Sequence, residues 1–330
     1  MQERVYELEV LSGLERFARE ELSALRGARS LGELRFTYDG STRAVKRLLS
    51  AVAAYEVEYF DVPRPKALLG HQHLTRLLRF VEDVLEQDTF KSFRFSAAGR
   101  ETAVFARLAQ EVERACGLRH DPKEGELLLR FVRAGEGWEV LARLTPRPLS
   151  ARSWRVCNMA GGLNATLAHA MLRLGGVRSG DRVFNPMCGS GTLLIERAAL
   201  GASERLVGAD VDERALECAR QNVAVSKHQD IEIGQMNVVE AELPARAFDL
   251  IVADLPWGDA VGSHASNAEL YPAFLRAMAH VGSKNARLVV LTHEVTLFER
   301  LLQDERRWTL RESMRVYHGG HYPRMYLLTK

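Results

Sequence analysis

The chain has 330 residues, of which 46% are hydrophobic and 27% are charged. Because these proportions are ordinary for globular proteins, they exclude collagen-like, coiled-coil and fully disordered chains. The length is sufficient for about two domains, and the formal net charge of +2 by itself indicates no particular partner.

The membrane-span, signal-sequence and cysteine patterns bear on where this protein is located. No stretch is apolar over the roughly 18 residues that a membrane span requires, and the first residues lack the apolar run of a secretory signal. We therefore expect a cytoplasmic protein that contacts no membrane. The cysteines are Cys116, Cys157, Cys188 and Cys218. They form no CxxC pair, so we expect reduced thiols and no bound metal.

The first part of the chain is predicted to contain two small α+β units. The spacing of apolar residues in the first unit, residues 1–55, predicts strands over 6–10 and 34–38 and helices over 13–25 and 43–53. The second unit, residues 56–145, is predicted to have helices near 73–87 and 103–115 and strands near 90–96, 127–132 and 138–144. Pro146 and Pro148 then indicate a linker.

The second part of the chain alternates strands with helices. Strands are predicted over 182–185, 206–210, 231–233, 248–253 and 287–292, and helices over 192–200, 213–225 and 270–279. This alternation is typical of a doubly wound parallel sheet. The runs 310–317 and 322–329 flank His318-Gly319-Gly320-His321 and predict an antiparallel hairpin at the end of the sheet.

The segment from Asn185 to Thr192 lies between a predicted strand and its helix. Its glycines, Gly189 and Gly191, allow the backbone to approach a ligand, and the helix start offers free N–H groups. The segment is neither a P-loop nor a GxGxxG fingerprint, which argues against ATP and NAD. Asp210 ends the next strand, where a carboxylate holds ribose hydroxyls, and Asn237 follows the third, where an amide would read an adenine edge.

Asp254-Leu255-Pro256-Trp257-Gly258 follows the fourth strand. Ligands of open α/β sheets bind beyond the carboxyl ends of the strands, so this segment would face the same crevice. The Asp254 carboxylate and the Leu255 carbonyl would accept hydrogen bonds from an exocyclic amine of a base, and Trp257 would stack on its ring. The pattern therefore favours methylation of such an amine, with Asp254 as proton acceptor.

This combination resembles the class I S-adenosylmethionine-dependent methyltransferases, and more narrowly the THUMP-domain tRNA guanine-N2 methyltransferases. The first motif of that family resembles DPxCGSGT, and here Asn185 replaces its opening Asp. The GxDxD motif is matched by Gly208, Asp210 and Asp212, and the [ND]-[LMP]-P-[FYW]-G motif by residues 254–258. The stretch 261–272 is similar to the loop that follows in the family.

The resemblance implies a Rossmann-like α/β methyltransferase domain over 176–330, with a mostly parallel sheet and an antiparallel last strand. It also implies a ferredoxin-like unit over 1–55, an RNA-binding THUMP unit over 56–145 and a linker with a pre-sheet helix over 146–175. The implied catalytic residues are Asp254, Leu255, Pro256 and Trp257. The implied cofactor-binding residues are Asn164, Thr166, Asn185, Pro186, Cys188, Gly189, Ser190, Gly191, Thr192, Asp210, Val211, Asn237 and Val238.

The implied substrate is a guanosine at the sixth nucleotide of tRNA, in the acceptor stem. Basic clusters suit phosphate backbones, and we expect Arg147, Arg152 and Arg155 to contact RNA. For Arg311 and Arg315 the sequence allows two interpretations, a contact with RNA or an exposed position on a solvated strand. We expect a monomer. Three alternatives remain open at this point: methylation of ribosomal guanine N2, methylation of adenine N6, and a non-catalytic RNA-binding protein, which only the replacement at Asn185 favours.

Overall fold

A computed structural model describes residues 3–228, 230–258 and 264–330. The similarity to the family loop at residues 261–263 lies outside these ranges. The chain divides into two compact units, one of residues 1–10 and 18–150 and the other of residues 11–17 and 151–330. Within the described ranges, none of the helices has the length and apolar character that a bilayer crossing demands.

The compact unit of residues 1–10 and 18–150, called the first unit from here on, contains one eight-stranded sheet. The strand order is β2-β3-β1-β4-β8-β7-β5-β6. Its strands are β1 (Arg4–Glu9), β2 (Arg29–Ser30), β3 (Arg35–Tyr38), β4 (Ala53–Phe60), β5 (Ser92–Ser96), β6 (Arg119–His120), β7 (Leu127–Ala134) and β8 (Gly137–Arg143). The helices are α1 (Glu15–Ala24), α2 (Thr42–Val45), a 3-10 turn (Pro65–Leu69), α3 (His71–Leu85) and α4 (Ala103–Cys116).

Strand β4 lies across the predicted boundary between residues 55 and 56. It pairs antiparallel with β1 on one side and with β8 on the other. The two predicted units therefore share one sheet, and their division into ferredoxin-like and THUMP units stays a prediction. The helix predicted over 43–53 is wrong beyond Val45, because Ala53 and the residues after it are drawn into the sheet by pairing with β1.

The second unit contains a seven-stranded sheet with the order β11-β10-β9-β12-β13-β15-β14. Its strands are β9 (Arg182–Asn185), β10 (Arg205–Asp210), β11 (Glu232–Gln235), β12 (Phe248–Asp254), β13 (Gly282–Thr292), β14 (Thr309–Arg315) and β15 (Arg324–Thr329). The helices are α5 (Ala165–Leu174), α6 (Thr192–Ala199), α7 (Glu213–Val225), α8 (His264–Val281) and α9 (Val295–Asp304).

All pairings in this sheet are parallel except those of β15, which runs antiparallel to β13 and β14. Both faces are buried: Leu250 and Val252 of β12 pack into one apolar core with α5 and α6, and Ile251 and Ala253 into a second core with α8 and α9. This confirms the predicted doubly wound sheet with an antiparallel last strand. Helix α9 was not predicted.

Two cysteines are joined, which contradicts the expectation of four reduced thiols. Cys157 and Cys218 form a disulfide with a Cα–Cα distance of 5.4 Å. The two residues are 61 positions apart, so only the packing of α7 against the segment after the linker brings them together. Cys116 and Cys188 remain free.

Alkylation tests this pairing directly. Protein purified without reductant and unfolded in the presence of iodoacetamide is expected to gain two labels, on Cys116 and Cys188. The same protein reduced first is expected to gain label on Cys157 and Cys218 as well. Mass spectrometry of peptides reads both results, and label on Cys157 without prior reduction would contradict the disulfide.

A buried ion pair joins β13 to the start of β9. Arg287 donates to Asp181 Oδ1 over 2.5 Å and to the Gly175 carbonyl over 2.7 Å, and both charged side chains are less than a tenth exposed. Removing one partner of such a pair leaves a buried charge without compensation.

We therefore expect Asp181→Asn to lower the free energy of unfolding by about 3–5 kcal/mol in urea titrations. The matched control is Asp249→Asn, which breaks a bidentate pair with Arg182 in which each side chain is about a third exposed. Solvent screens that pair, so its loss is expected to cost no more than about 1 kcal/mol. Equal costs for the two variants would contradict the assignment.

Candidate active site

A cavity of about 810 Å³ opens at the carboxyl ends of the central strands of the second sheet. Segments that follow β9, β10, β11 and β12 contribute to its wall, as expected for an open α/β sheet. The lining residues from these segments are Pro186–Ser190, Asp210–Asp212, Met236–Val239 and Asp254–Trp257. Met159–Leu163, Thr192, Leu193, Ala215, Leu270, His318, Gly319 and His321 complete it.

The glycine turn between β9 and α6 forms the floor of this cavity. Gly189 and Gly191 have φ angles of +51° and +79°, in the left-handed region that side chains disfavour. The turn is closed by a hydrogen bond from Gly191 N to the Cys188 carbonyl over 2.9 Å. The turn therefore exposes backbone and the start of α6 to the cavity, and its contact with a ligand stays a prediction.

Asp210 ends β10 and lies against this turn. Its carboxylate accepts hydrogen bonds from Gly189 N over 2.8 Å and from Asp212 N over 3.0 Å, one on each oxygen. Each carboxylate oxygen has a second lone pair, and the side chain lines the cavity. Asp210 therefore both fixes the turn and offers the paired acceptors that a ribose diol requires.

The wall beside Asp210 is suited to a flat apolar group. Val211, which is 62% exposed, and the buried Val238 both line the cavity. Asn237 lines it too and accepts a hydrogen bond from Val239 N through Oδ1 over 3.3 Å. The predicted adenine site is thus an apolar slot with an amide at its edge.

Asn185 is buried behind the turn and is not among the residues that line the cavity. Its Nδ2 donates to the Val252 carbonyl over 2.8 Å. Its Oδ1 is buried and, among the described residues, meets no hydrogen-bond donor. Because Asn185 is buried outside the cavity lining, a direct contact with a cofactor stays a prediction.

The segment after β12 is held rigidly by its neighbours. Leu255 N donates to the Leu291 carbonyl over 3.0 Å. The Pro256 carbonyl accepts from Asn267 Nδ2 over 2.9 Å and from the Tyr271 hydroxyl over 2.7 Å. Within the described part of the chain, no donor approaches the Leu255 carbonyl, so it is the backbone acceptor that remains for a ligand.

The pKa of the Asp254 carboxyl group lies near neutral pH. Burial of its carboxyl group raises its pKa to about 7, and a hydrogen bond from Trp257 Nε1 to Oδ1 over 3.1 Å opposes part of this increase. A carboxylate with such a pKa holds or releases a proton in the range in which enzymes work. Asp254 and the Leu255 carbonyl therefore form an acceptor pair of which one member also takes a proton.

Three histidines surround Trp257. The His293 ring lies 5.6 Å from the Trp257 ring at 30°, and His318 and His321 approach it nearly at right angles, at 5.7 and 6.0 Å. Burial, with the nearby Arg155 and His321, lowers the pKa of His318 below its usual range, so its ring is neutral. The sequence singled out the turn that carries His318 and His321 but gave these rings no role.

Cys188 has no features of a nucleophile. Burial, together with the nearby Asp210 carboxylate, raises the pKa of its thiol to about 12. The group therefore stays protonated, in agreement with the sequence-based interpretation of a small packed side chain.

Asn164 and Thr166 lie at the start of α5, outside the cavity lining. Asn164 Oδ1 accepts from Thr166 N over 2.8 Å and from Thr166 Oγ1 over 2.6 Å, which caps the helix. Their neighbour Leu163 lines the cavity. A direct cofactor contact by the two residues stays a prediction, and the structure gives them a capping role.

The three arginines predicted to contact RNA have different surroundings. Arg147 is exposed. Arg152 is only 9% exposed and makes a bidentate pair with the buried Glu196, at 2.8 and 3.2 Å. Arg155 donates to the Leu163 carbonyl over 2.7 Å and to Thr192 Oγ1 over 2.8 Å. The positions of Arg152 and Arg155 favour roles inside the second unit over the predicted phosphate contacts.

Sequence reasoning missed Asn222, which lies in α7 and is fully buried. Its Oδ1 accepts from Val156 N and Cys157 N, both over 2.9 Å, and its Nδ2 donates to the carbonyls of Cys157 and Ser190 over 3.1 and 3.0 Å. One amide thus links the glycine turn to the segment that leads into Met159–Leu163. Nothing local in the sequence signals these partners, which lie 32 to 66 positions away.

Comparisons with known proteins agree with this geometry. The family model UPF0020, described as the RMKL-like methyltransferase domain, matches residues 152–324. The tRNA (guanine(6)-N2)-methyltransferase of Thermus thermophilus is 32% identical over 68% of this chain and 66% of its own length. The tRNA (guanine(10)-N2)-dimethyltransferase of Methanothermobacter thermautotrophicus is 34% identical over 48% of this chain and 47% of its own length. This chain thus spans less than two thirds of the length of these relatives.

Among solved structures, TrmN from Thermus thermophilus superposes with a TM-score of 0.78, at 27% identity over 99% of both chains. The strand order and the cavity at the carboxyl edge define a methyltransferase domain of the Rossmann type. The family model covers just over half of the residues, and the chain belongs to the UPF0020 family of RMKL-like methyltransferase domains.

Asn222→Asp tests the link between the turn and the 156–163 segment. The substitution keeps the shape and the Oδ1 acceptor but replaces the Nδ2 donor with an oxygen that faces the carbonyls of Cys157 and Ser190. We expect the affinity for S-adenosylhomocysteine, measured by calorimetry, to fall by about tenfold or more. The control is Gln221→Ala, at the adjacent exposed position whose side chain contacts only Glu217 among the described residues. Unchanged affinity in a folded Asn222→Asp variant would contradict this role.

Proposed function

We propose that this chain transfers a methyl group from S-adenosylmethionine to the exocyclic N2 of a guanosine in tRNA. The observation that carries this proposal is the acceptor pair formed by Asp254, with its pKa of about 7, and the Leu255 carbonyl in the wall of the cavity. Two acceptors side by side match the two N–H groups of an exocyclic amine. The adjacent slot of Gly189, Asp210 and Val238 suits a nucleoside cofactor.

The residues of the cavity fit S-adenosylmethionine by their chemistry. Asp210 would bind the ribose hydroxyls, Val211 and Val238 would enclose the adenine, and Asn237 would meet its edge. Asn185 lies behind the glycine turn and does not line the cavity, so its contact with the methionine moiety stays a prediction from the sequence. When bound, the cofactor supplies an electrophilic methyl group.

The chain has to make a poor nucleophile reactive, because the lone pair of an exocyclic amine is delocalised into the ring. Hydrogen bonds from the two N–H groups to Asp254 and to the Leu255 carbonyl would orient the amine and draw its nitrogen towards tetrahedral geometry. As the new bond forms, one proton has to leave the nitrogen. The Asp254 carboxylate would accept it.

A guanine in a paired stem is inaccessible, so the target base has to turn out of the helix. Trp257 and the neutral His318 would enclose that base, because both line the cavity next to Asp254. Phosphate contacts through the first unit and Arg147 would hold the RNA without reading its sequence.

The identity of the nucleotide is supported by the relatives. The Thermus thermophilus relative is named for guanine 6 of tRNA and the Methanothermobacter relative for guanine 10. We propose the sixth nucleotide, in the acceptor stem, for this chain. A monomer in the cytoplasm remains our expectation.

Methyl transfer into unmodified tRNA transcripts tests the proposal. Wild-type protein with labelled S-adenosylmethionine is expected to give N2-methylguanosine at the sixth nucleotide, identified by nucleoside analysis and site mapping. Asp254→Ala is expected to lower kcat/KM by at least about a hundredfold, since it removes an acceptor and the proton acceptor together. Label in N6-methyladenosine would overturn the base assignment, and label in ribosomal RNA offered in a parallel reaction, with none in the tRNA, would overturn the substrate.

The pH dependence of methyl transfer is a second test of the role proposed for Asp254. Because the carboxylate form of Asp254 is the active one, kcat/KM, which reports the free enzyme, is expected to rise with pH through about 7 and then to level off. Asp254→Asn, which accepts a hydrogen bond but no proton, is expected to lose this inflection. Asp249→Asn on the same strand is the control, since that residue pairs with Arg182 at the opposite end of β12.

A further inference from the structure

The hairpin tip between β14 and β15 projects beyond the carboxyl edge of the sheet. The last pair of β13 with β15 joins Thr292 to Arg324, and the last pair of β14 joins Arg315 to Arg324. Residues 316–323 therefore extend past the sheet, on the edge where ligands of such folds bind. His318 and His321 close the tip with two backbone hydrogen bonds of 3.0 Å.

The two faces of this tip differ in chemistry. His318 and His321 point to the cavity, which they line. Because successive residues of a strand point to opposite faces, Tyr317 and Tyr322 occupy the other face. They are 37% and 48% exposed, and their rings meet at 5.4 Å.

A positive charge accompanies the exposed tyrosines. The Arg315 guanidinium lies 4.2 Å from the centre of the Tyr322 ring, and Arg315 is itself exposed. An aromatic pair with an adjacent guanidinium offers a stacking face for a base and a partner for a phosphate. A nucleotide presents both of these groups.

The hairpin is held in place by the segment before α1 and by the first turn of that helix. Tyr317 N donates to the Ser12 carbonyl over 2.9 Å, and Arg16 pairs with Glu312 of β14. Gly13, with a φ of +93°, allows close approach, since a Cβ there would lie 2.3 Å from the Arg315 carbonyl oxygen. The aromatic surface is therefore formed before a ligand arrives, which lowers the entropy cost of binding.

We propose that Tyr317, Tyr322 and Arg315 form a stacking surface for a nucleotide that neighbours the target guanosine in the RNA strand. This inference rests on the proposed function, because the strand that delivers an extruded base to the cavity has to cross the same edge of the sheet. A neighbouring base stacks on the tyrosines, and Arg315 contacts the phosphate beside it.

The test is the double substitution Tyr317→Ala/Tyr322→Ala, compared with Tyr317→Phe/Tyr322→Phe. The alanine variant is expected to raise the Kd for a tRNA transcript and its KM in methyl transfer by about tenfold or more. Its affinity for S-adenosylhomocysteine and its kcat at saturating RNA are expected to stay near wild type. The phenylalanine variant keeps the ring faces and is expected to restore both Kd and KM.

Two further variants separate stacking from charge. Arg315→Gln is expected to reduce the slope of log Kd against log salt by about one, as for the loss of one phosphate contact. Leu310→Ala is the control, since Leu310 is 46% exposed at the opposite end of β14. Wild-type Kd and KM in the double alanine variant would overturn the proposal and assign the surface to another partner.

Failure of the proposed function would look different. A wild-type protein that binds the tRNA transcript but transfers no methyl group to it would refute that function. The Kd comparison between the alanine and phenylalanine variants would still decide whether the tip stacks on RNA.

Discussion

The bond from Gly189 N to the Asp210 carboxylate is the interaction on which the site depends. It joins the ends of β9 and β10, which run parallel side by side, and fixes the glycine turn against the neighbouring strand. Because Asp210 holds the turn with one oxygen and its own loop, at Asp212 N, with the other, the carboxylate is oriented before any ligand binds. A mobile carboxylate would have to be ordered when a ligand binds, which would weaken the affinity for that ligand. The Asp210 carboxylate instead presents its remaining lone pairs in a fixed direction.

The parts of the site that the sequence predicted are those whose residues are neighbours along the chain. The glycine turn, Asp210 and the Asp254–Trp257 segment each follow a buried strand, and parallel strands bring their carboxyl ends to one edge. Local order along the chain therefore implies proximity in space. The sheet itself was predicted for the same reason, since strands that alternate with helices have few arrangements available.

The parts that were missed depend on partners far along the chain. From the sequence alone, Arg152 is predicted to bind a phosphate. Its ion pair with Glu196, 44 positions away, is visible only in the structure. Cys157, Cys218 and Asn222 appear unremarkable until α7 packs beside the 156–163 segment. The helix predicted over 43–53 is also wrong beyond Val45, because Ala53 pairs with β1 in spite of the helical composition before it.

Asn185 is the residue on which the non-catalytic alternative relied, and its surroundings explain why an amide is acceptable there. The side chain is fully buried, and its Nδ2 donates to the Val252 carbonyl, which ties β9 to β12. A carboxylate has no donor for that carbonyl and would be buried beside it, at a cost that grows with the loss of solvent. The amide removes this repulsion, because its Nδ2 donates to the carbonyl. The replacement thus exchanges a charge for a bond within the sheet, while Asp210 and Asp254 keep their places in the wall of the cavity.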